Sequence, residues 1–134
     1  MNIDADVAMK IWNDFFGSEE WAVDCYGTWM NKHAYSDNEV NLIRPGTNQR
    51  YDYSWNIDHI CPKSQFKSES EANIYNNLEP IHRQNNLAKA DKTVFDIDGH
   101  KYWVVADENG HGYGIKNELH IRIDGKAKGK WSYQ

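Results

Sequence analysis

Residues 54–66 read SWNIDHICPKSQF, and what Asp58 and His59 do there decides the fold. An apolar, strand-like run carries an acid and an imidazole side by side and then stops at Pro62. Polar groups of this kind are costly inside a strand unless something pairs with them. The pair alone is uninformative, so its purpose must come from residues within reach downstream. Counting from His59, Asn77 follows after eighteen residues, Asn86 after nine more, and Lys89 after a further three.

Local signals place these residues on elements. Pro45-Gly46 marks a turn leading into a strand near Tyr53 to Ile60, and KSQFKSESEANIYN is polar and loop-like. NLEPI reads as a short extended segment and HRQNNLAKADK as a helix. On that helix His82, Asn86 and Lys89 fall at i, i+4 and i+7 and so share a face. A helix packed across the two strands brings Asn86 towards Asp58. A carboxylate and an amide oxygen are hard ligands, the kind Mg²⁺ accepts while keeping several waters. A histidine beside that metal is placed to take a proton from water. Period-two geometry sends neighbouring strand residues to opposite faces. For Asp58 and His59 to serve one cleft the strand must therefore bend or end there, and Pro62 agrees with that.

The motifs IDHICP, NNLEPI and NNLAKADK resemble those of the HNH endonucleases, whose pattern runs D-H-I-x-P, a polar loop, N-L, and a helix containing N-x-x-K. Upstream, WAVDCYGTWMNK and YSWNIDHI are similar to segments of small stand-alone HNH proteins, so the likeness covers roughly residues 21–92. It implies a ββα-metal finger holding one divalent ion, Mg²⁺ first and Mn²⁺ next. It also implies DNA as partner, with structured RNA left open, and products with 5′-phosphate and 3′-hydroxyl ends. His59 takes the place of the general base, Asp58 and Asn86 those of metal ligands, and Asn77 that of the residue fixing the loop behind His59. Lys89 and Arg83 are expected at phosphate, with Lys63, Lys67 and Lys92 as further contacts. The chain departs from the family in a longer loop without Gly-Gly, and in carrying His82 and Asn85 where many members have zinc-binding cysteines. No structural zinc is therefore expected. Stability must then come from packing, with Trp21, Trp29 and Trp55 as candidates. His82 is a possible extra ligand or a hydrogen-bonding residue.

The rest of the chain sets bounds. Its 134 residues, 40% apolar and 13% aromatic, suit one domain, here an α+β fold over 1–134 with the finger at 52–92. DADVAMKIWNDFFG puts Val7, Ile11 and Phe15 at helical spacing with Gly17 as a stop, while residues 18–39 promise only short helical or irregular pieces. Behind the finger, residues 93–134 promise a β-meander with turns at Asp98-Gly99 and Asn109-Gly110 and a last strand in ELHIRI. The net charge of −5 excludes an indiscriminate nucleic-acid coat, but it is unevenly spread. Residues 1–41 hold eight acids against two bases, and the end of the chain carries Arg122, Lys126, Lys128 and Lys130 against Asp124 alone. That end reads either as a polyanion-binding surface or as a solvated lysine-rich tail. Two distant cysteines, Cys25 and Cys61, make no disulfide framework. There is no signal-peptide pattern and no run near the ~18 apolar residues of a membrane span, so a cytoplasmic protein is expected. His33, His100, His111 and His120 read as surface or turn residues. Two other functions fit the same motifs: a non-cleaving nucleic-acid-binding module that keeps the finger, and an effector toxin.

Overall fold

The computed structural model describes residues 4–37, 42–47, 50–107 and 112–124. Within them the architecture is α+β, made of small antiparallel sheets and short helices. Helix α1 spans Ala5–Phe16. The Asp4 carboxylate caps it by accepting from the Asp6 amide, and Gly17 ends it at φ +63°, a left-handed value that glycine adopts without strain. Its inward face is Ala8, Ile11 and Trp12, whereas Val7 is 45% exposed. The buried stripe is thus rotated from the expected Val7–Ile11–Phe15 line, because the Trp12 ring supplies the larger apolar area.

The stretch expected to be irregular instead makes a hairpin. Strands β1 (Trp21–Val23) and β2 (Trp29–Asn31) pair antiparallel. Their connection holds Gly27 at φ +88° and the Asp24 carboxylate, whose Oδ1 accepts from the Tyr26 and Thr28 amides. Short strands β3 (Leu42–Ile43) and β4 (Arg50–Tyr51) form a second hairpin.

The centre consists of β5 (Trp55–His59), a loop with a 3₁₀ turn at Lys63–Gln65, helix α2 (Glu69–Ala72), β6 (Leu78–His82) and helix α3 (Arg83–Lys89). Strands β5 and β6 pair antiparallel, with Asp58 opposite Glu79 and His59 opposite Leu78. One side of this ribbon gives Trp55, Ile57 and Leu78 to a core shared with Ala8, Ile11, Trp12, Ala22 and Met30. Trp12 and Trp55 meet at 4.8 Å between ring centres. Of the other tryptophans expected in the packing, Trp21 sits edge-on to Tyr53, while Trp29 is 37% exposed under the Arg44 guanidinium.

A three-stranded antiparallel sheet follows: β7 (Val94–Ile97), β8 (His100–Ala106) and β9 (Tyr113–Lys116). The Asp98-Gly99 turn joins the first two with positive φ at both residues, the geometry that suits strand twist. Asn109-Gly110 and His111 lie outside the described residues. The sheet packs Phe95, Ile97 and Ile115 on Ile60, just past β5. ELHIRI is not a strand: residues 118–119 turn, and a lone bridge between Lys116 and Arg122 is the extent of its pairing. Arg122 is engaged internally by Asp107 and Asp124, which removes it from the basic end proposed for polyanions. Lys126, Lys128 and Lys130 lie outside the described residues. Among those described, no helix is long and apolar enough to cross a membrane.

Candidate active site

The β5 strand ends at His59, where the chain must leave the ribbon. The Ile60 amide still donates to the Asn77 carbonyl at 2.8 Å, and the Asn77 side chain then takes over. Its Oδ1 accepts from the Cys61 amide at 2.8 Å, and its Nδ2 donates to the carbonyls of Cys61 (3.0 Å) and Ala72 (2.9 Å). Asn77 is fully buried, so these three bonds are made away from water. A single amide thereby ties both ends of the loop that follows His59.

Asp58 points the other way, towards α3. Its side chain is 4% exposed and that of Lys89 0%, with the ammonium 3.3 Å from each carboxylate oxygen. The angle suits a hydrogen bond to Oδ1 alone, so Oδ2 has charge contact but no hydrogen-bond partner. Lys89 Nζ also donates to the His59 carbonyl at 2.8 Å. Burial raises the Asp58 carboxyl from 3.8 to about 6, opposed by Lys89.

His59 is half-buried, with Nε2 2.6 Å from Asn73 Oδ1. Burial lowers its pKa, the Asn73 hydrogen bond opposes this, and the positive charge of Lys63 adds to the lowering. His59 is thereby kept neutral and able to accept a proton near pH 7. Asp58, His59 and Asn86 all line one cleft of about 450 Å³, together with Tyr35, Asn56, Lys63 and Asp91. The cleft lies between the end of β5, the start of the long loop and the C-terminal half of α3.

Three expected site residues are occupied elsewhere. Lys89 has no exposed surface with which to meet a phosphate: it is the internal counter-ion of Asp58. His82 caps α3, with Nδ1 accepting from the Gln84 amide at 3.1 Å and Nε2 lying 2.6 Å from the Asp52 carbonyl. Both ring nitrogens are therefore in use, which removes it as a ligand. Arg83 pairs with the Asp52 carboxylate at 2.6 Å and reaches the Ser54 hydroxyl, so its charge is spent on the segment before β5. Of the other cations, Lys63 lines the cleft, while Lys67 and Lys92 are exposed.

Asp24 was not anticipated. Its Oδ2 accepts from the His82 amide at 3.1 Å and from Asn85 Nδ2 at 2.9 Å, joining the β1–β2 turn to the start of α3. Asn85 also donates to the Thr28 hydroxyl at 2.8 Å. Asn73 and Asn56 are likewise new. Asn73 alone had a sequence signal, as the fourth residue before Asn77 in a polar loop, and it was too weak to single out.

The donor set suits a particular kind of cation. Asp58 has a buried carboxylate oxygen without a hydrogen bond, and Asn86, whose side chain carries an amide, lines the same cleft. Both are hard donors, and two of them leave a divalent ion most of its waters. Among the described residues, no group of three or more His, Cys, Asp and Glu side chains is placed to hold a metal. No protein-family model, curated protein or solved structure matches the chain.

Proposed function

We propose that this chain is a metal-dependent endonuclease of the HNH type that hydrolyses phosphodiester bonds in DNA, with β5, β6 and α3 acting as its ββα-metal finger. The observation that carries the reading is the convergence of Asp58, His59 and Asn86 on one cleft, although they come from a strand, its end and a helix. In this reading His59 takes a proton from a water, whose oxygen attacks phosphorus as the bond to the 3′-oxygen breaks. Asp58 and Asn86 would hold Mg²⁺ or Mn²⁺, which supplies relief of negative charge on the phosphate and the departing oxygen. Lys63, which lines the same cleft, would contribute a positive charge for the substrate backbone. Asn77 keeps the chain past His59 in place and touches no reacting atom.

The test is supercoiled plasmid incubated with Mg²⁺ or Mn²⁺, beside EDTA and His59→Ala controls. Nicking that needs the metal and disappears in the variant supports the assignment. Equal inertness of wild type and variant across metals and salt removes it. One feature favours a second reading, a nucleic-acid-binding module that no longer cleaves: the Lys89 ammonium already neutralises Asp58. Calorimetric titration separates the two, because a module of that kind binds Mn²⁺ no better than its Asp58→Ala variant.

A further inference from the structure

We infer that Asn73 is a positioning residue for His59, holding the neutral imidazole with its proton on Nε2 so that Nδ1 presents the lone pair. The inference deepens the nuclease reading and rests on it for its catalytic meaning, but the hydrogen bond itself stands apart from any activity. The two residues are fourteen apart, and the contact is 2.6 Å from His59 Nε2 to Asn73 Oδ1. The atom that faces the ring is the amide oxygen, within hydrogen-bond reach. Since Asn73 Oδ1 can only accept, Nε2 must donate. A neutral imidazole carries one N–H, and the other nitrogen is then the base.

The surrounding loop is built to deliver that oxygen. Ser68 caps α2 by accepting from the Glu71 amide. Asn73 follows the helix as its C-cap, and its own amide donates to the Glu69 carbonyl at 2.8 Å. The preceding residue, Ala72, is fully buried, and its carbonyl accepts from Asn77 Nδ2. Asn77 thus fixes the backbone on both sides of the contact: Cys61, two residues past His59, and Ala72, one before Asn73. The stretch between His59 and Asn77 is the one that carries α2 and its C-cap amide. An amide is suited to this task, because it directs the ring without placing a negative charge behind it. A carboxylate there would favour the imidazolium, which cannot act as a base.

The experiment is a long-range ¹H–¹⁵N correlation spectrum of the histidine rings, recorded on the full chain in EDTA at a pH where His59 is neutral. His82 is an internal reference, since its Nε2 donates to Asp52 O and its Nδ1 accepts from Gln84. Wild type should show His59 with a protonated Nε2, a bare Nδ1 and a ring N–H protected from exchange. Asn73→Ala should lose that protected proton and gain the other tautomer, while the His82 pattern stays fixed and reports that the fold is intact. Asn73→Asp, which keeps an acceptor oxygen, should restore a protected proton on Nε2 while shifting the ring towards the imidazolium. On plasmid, Asn73→Ala should lower kcat by about 10- to 100-fold with KM little changed, the scale on which partners behind a functional histidine act. A wild-type His59 protonated on Nδ1, or an unaltered His59 pattern in Asn73→Ala, overturns the inference. So does full kcat in Asn73→Ala. If the spectra behave as expected while wild type never nicks DNA, the hydrogen bond stands and the nuclease reading is what has failed.

Discussion

Replacing Lys89 by methionine probes the charge balance beneath the cleft. Asp58 and Lys89 are paired in near-complete burial, and the carboxyl still rises from 3.8 to about 6. At pH 7.5, keeping that carboxylate ionised in the metal-free fold costs about 3 kcal/mol, at about 1.4 kcal/mol per pKa unit. Without the ammonium, burial acts unopposed and the carboxyl moves higher. Protonating a group of ordinary pKa 3.8 at that pH costs about 5 kcal/mol, which sets a ceiling. The variant therefore loses up to about 2 kcal/mol more than wild type through Asp58 at pH 7.5. The sign follows from proton counting. Between 3.8 and the raised value the folded state binds more protons than the unfolded one, so stability falls as pH rises. In wild type that fall stops near 6, whereas in the variant it continues. At about pH 5 both proteins hold the carboxyl mostly protonated, and the difference shrinks towards zero. Lost packing and the lost bond to the His59 carbonyl add an offset that does not depend on pH. The assay is urea unfolding of both proteins in EDTA at pH 5 and 7.5. The stability gap should widen by up to about 2 kcal/mol between them. A gap equal at both values, or narrower at the higher, refutes a buried, destabilised carboxylate at position 58.

Asp24→Ala leaves four donors without their acceptor, two of them on or beside the start of α3. It should cost about 3 to 5 kcal/mol and lower Tm by roughly 10 to 20 °C in calorimetry; a loss below about 1 kcal/mol would show the clasp to be incidental. Because His59 is depressed below 6.5, the acid limb of kcat/KM should lie below that value, and Lys63→Glu should move it upward. The same depression makes the unfolded chain the better proton binder below 6.5, so this group's contribution to stability is lost as pH falls. An acid limb above 6.5, or one indifferent to Lys63→Glu, contradicts the neutral buried ring.

What the sequence disclosed, and what it hid, follows from how local each cause is. The end of β5 was legible because Pro62 and the Asp58–His59 pair act within a few residues. Asn77 closes the loop with its own side-chain amide, from the position where NNLEPI begins its extended run. Asn85 and Asn86 divide as a helix requires, with Asn85 turned in to Asp24 and Asn86 to the cleft. Lys89 was misplaced because a lysine reads as solvent-facing. Its spacing of four from buried Asn85 put it on the inward face, and its partner lies thirty-one residues away. The β1–β2 hairpin escaped notice because Asp24 and Gly27 shape the turn through a carboxylate cap and a positive φ, not through a familiar dipeptide. ELHIRI had the alternation of a strand but gained just one bridge, which alternation cannot foresee.

The Asp24 clasp also bears on how the protein can be cut and rebuilt. Its two bonds to the start of α3 span 58 and 61 positions of chain, and both are buried. A fragment beginning at residue 52 would keep both strands and the helix but lose the acceptor for two inward-facing donors. Transplanting β5, β6 and α3 into another host would therefore require the turn at 24–28 to travel with them. During folding, the closure of so long a loop must precede any reward from it, which favours slow, all-or-none assembly. The segment that carries the candidate site is held in shape by one that lies outside it.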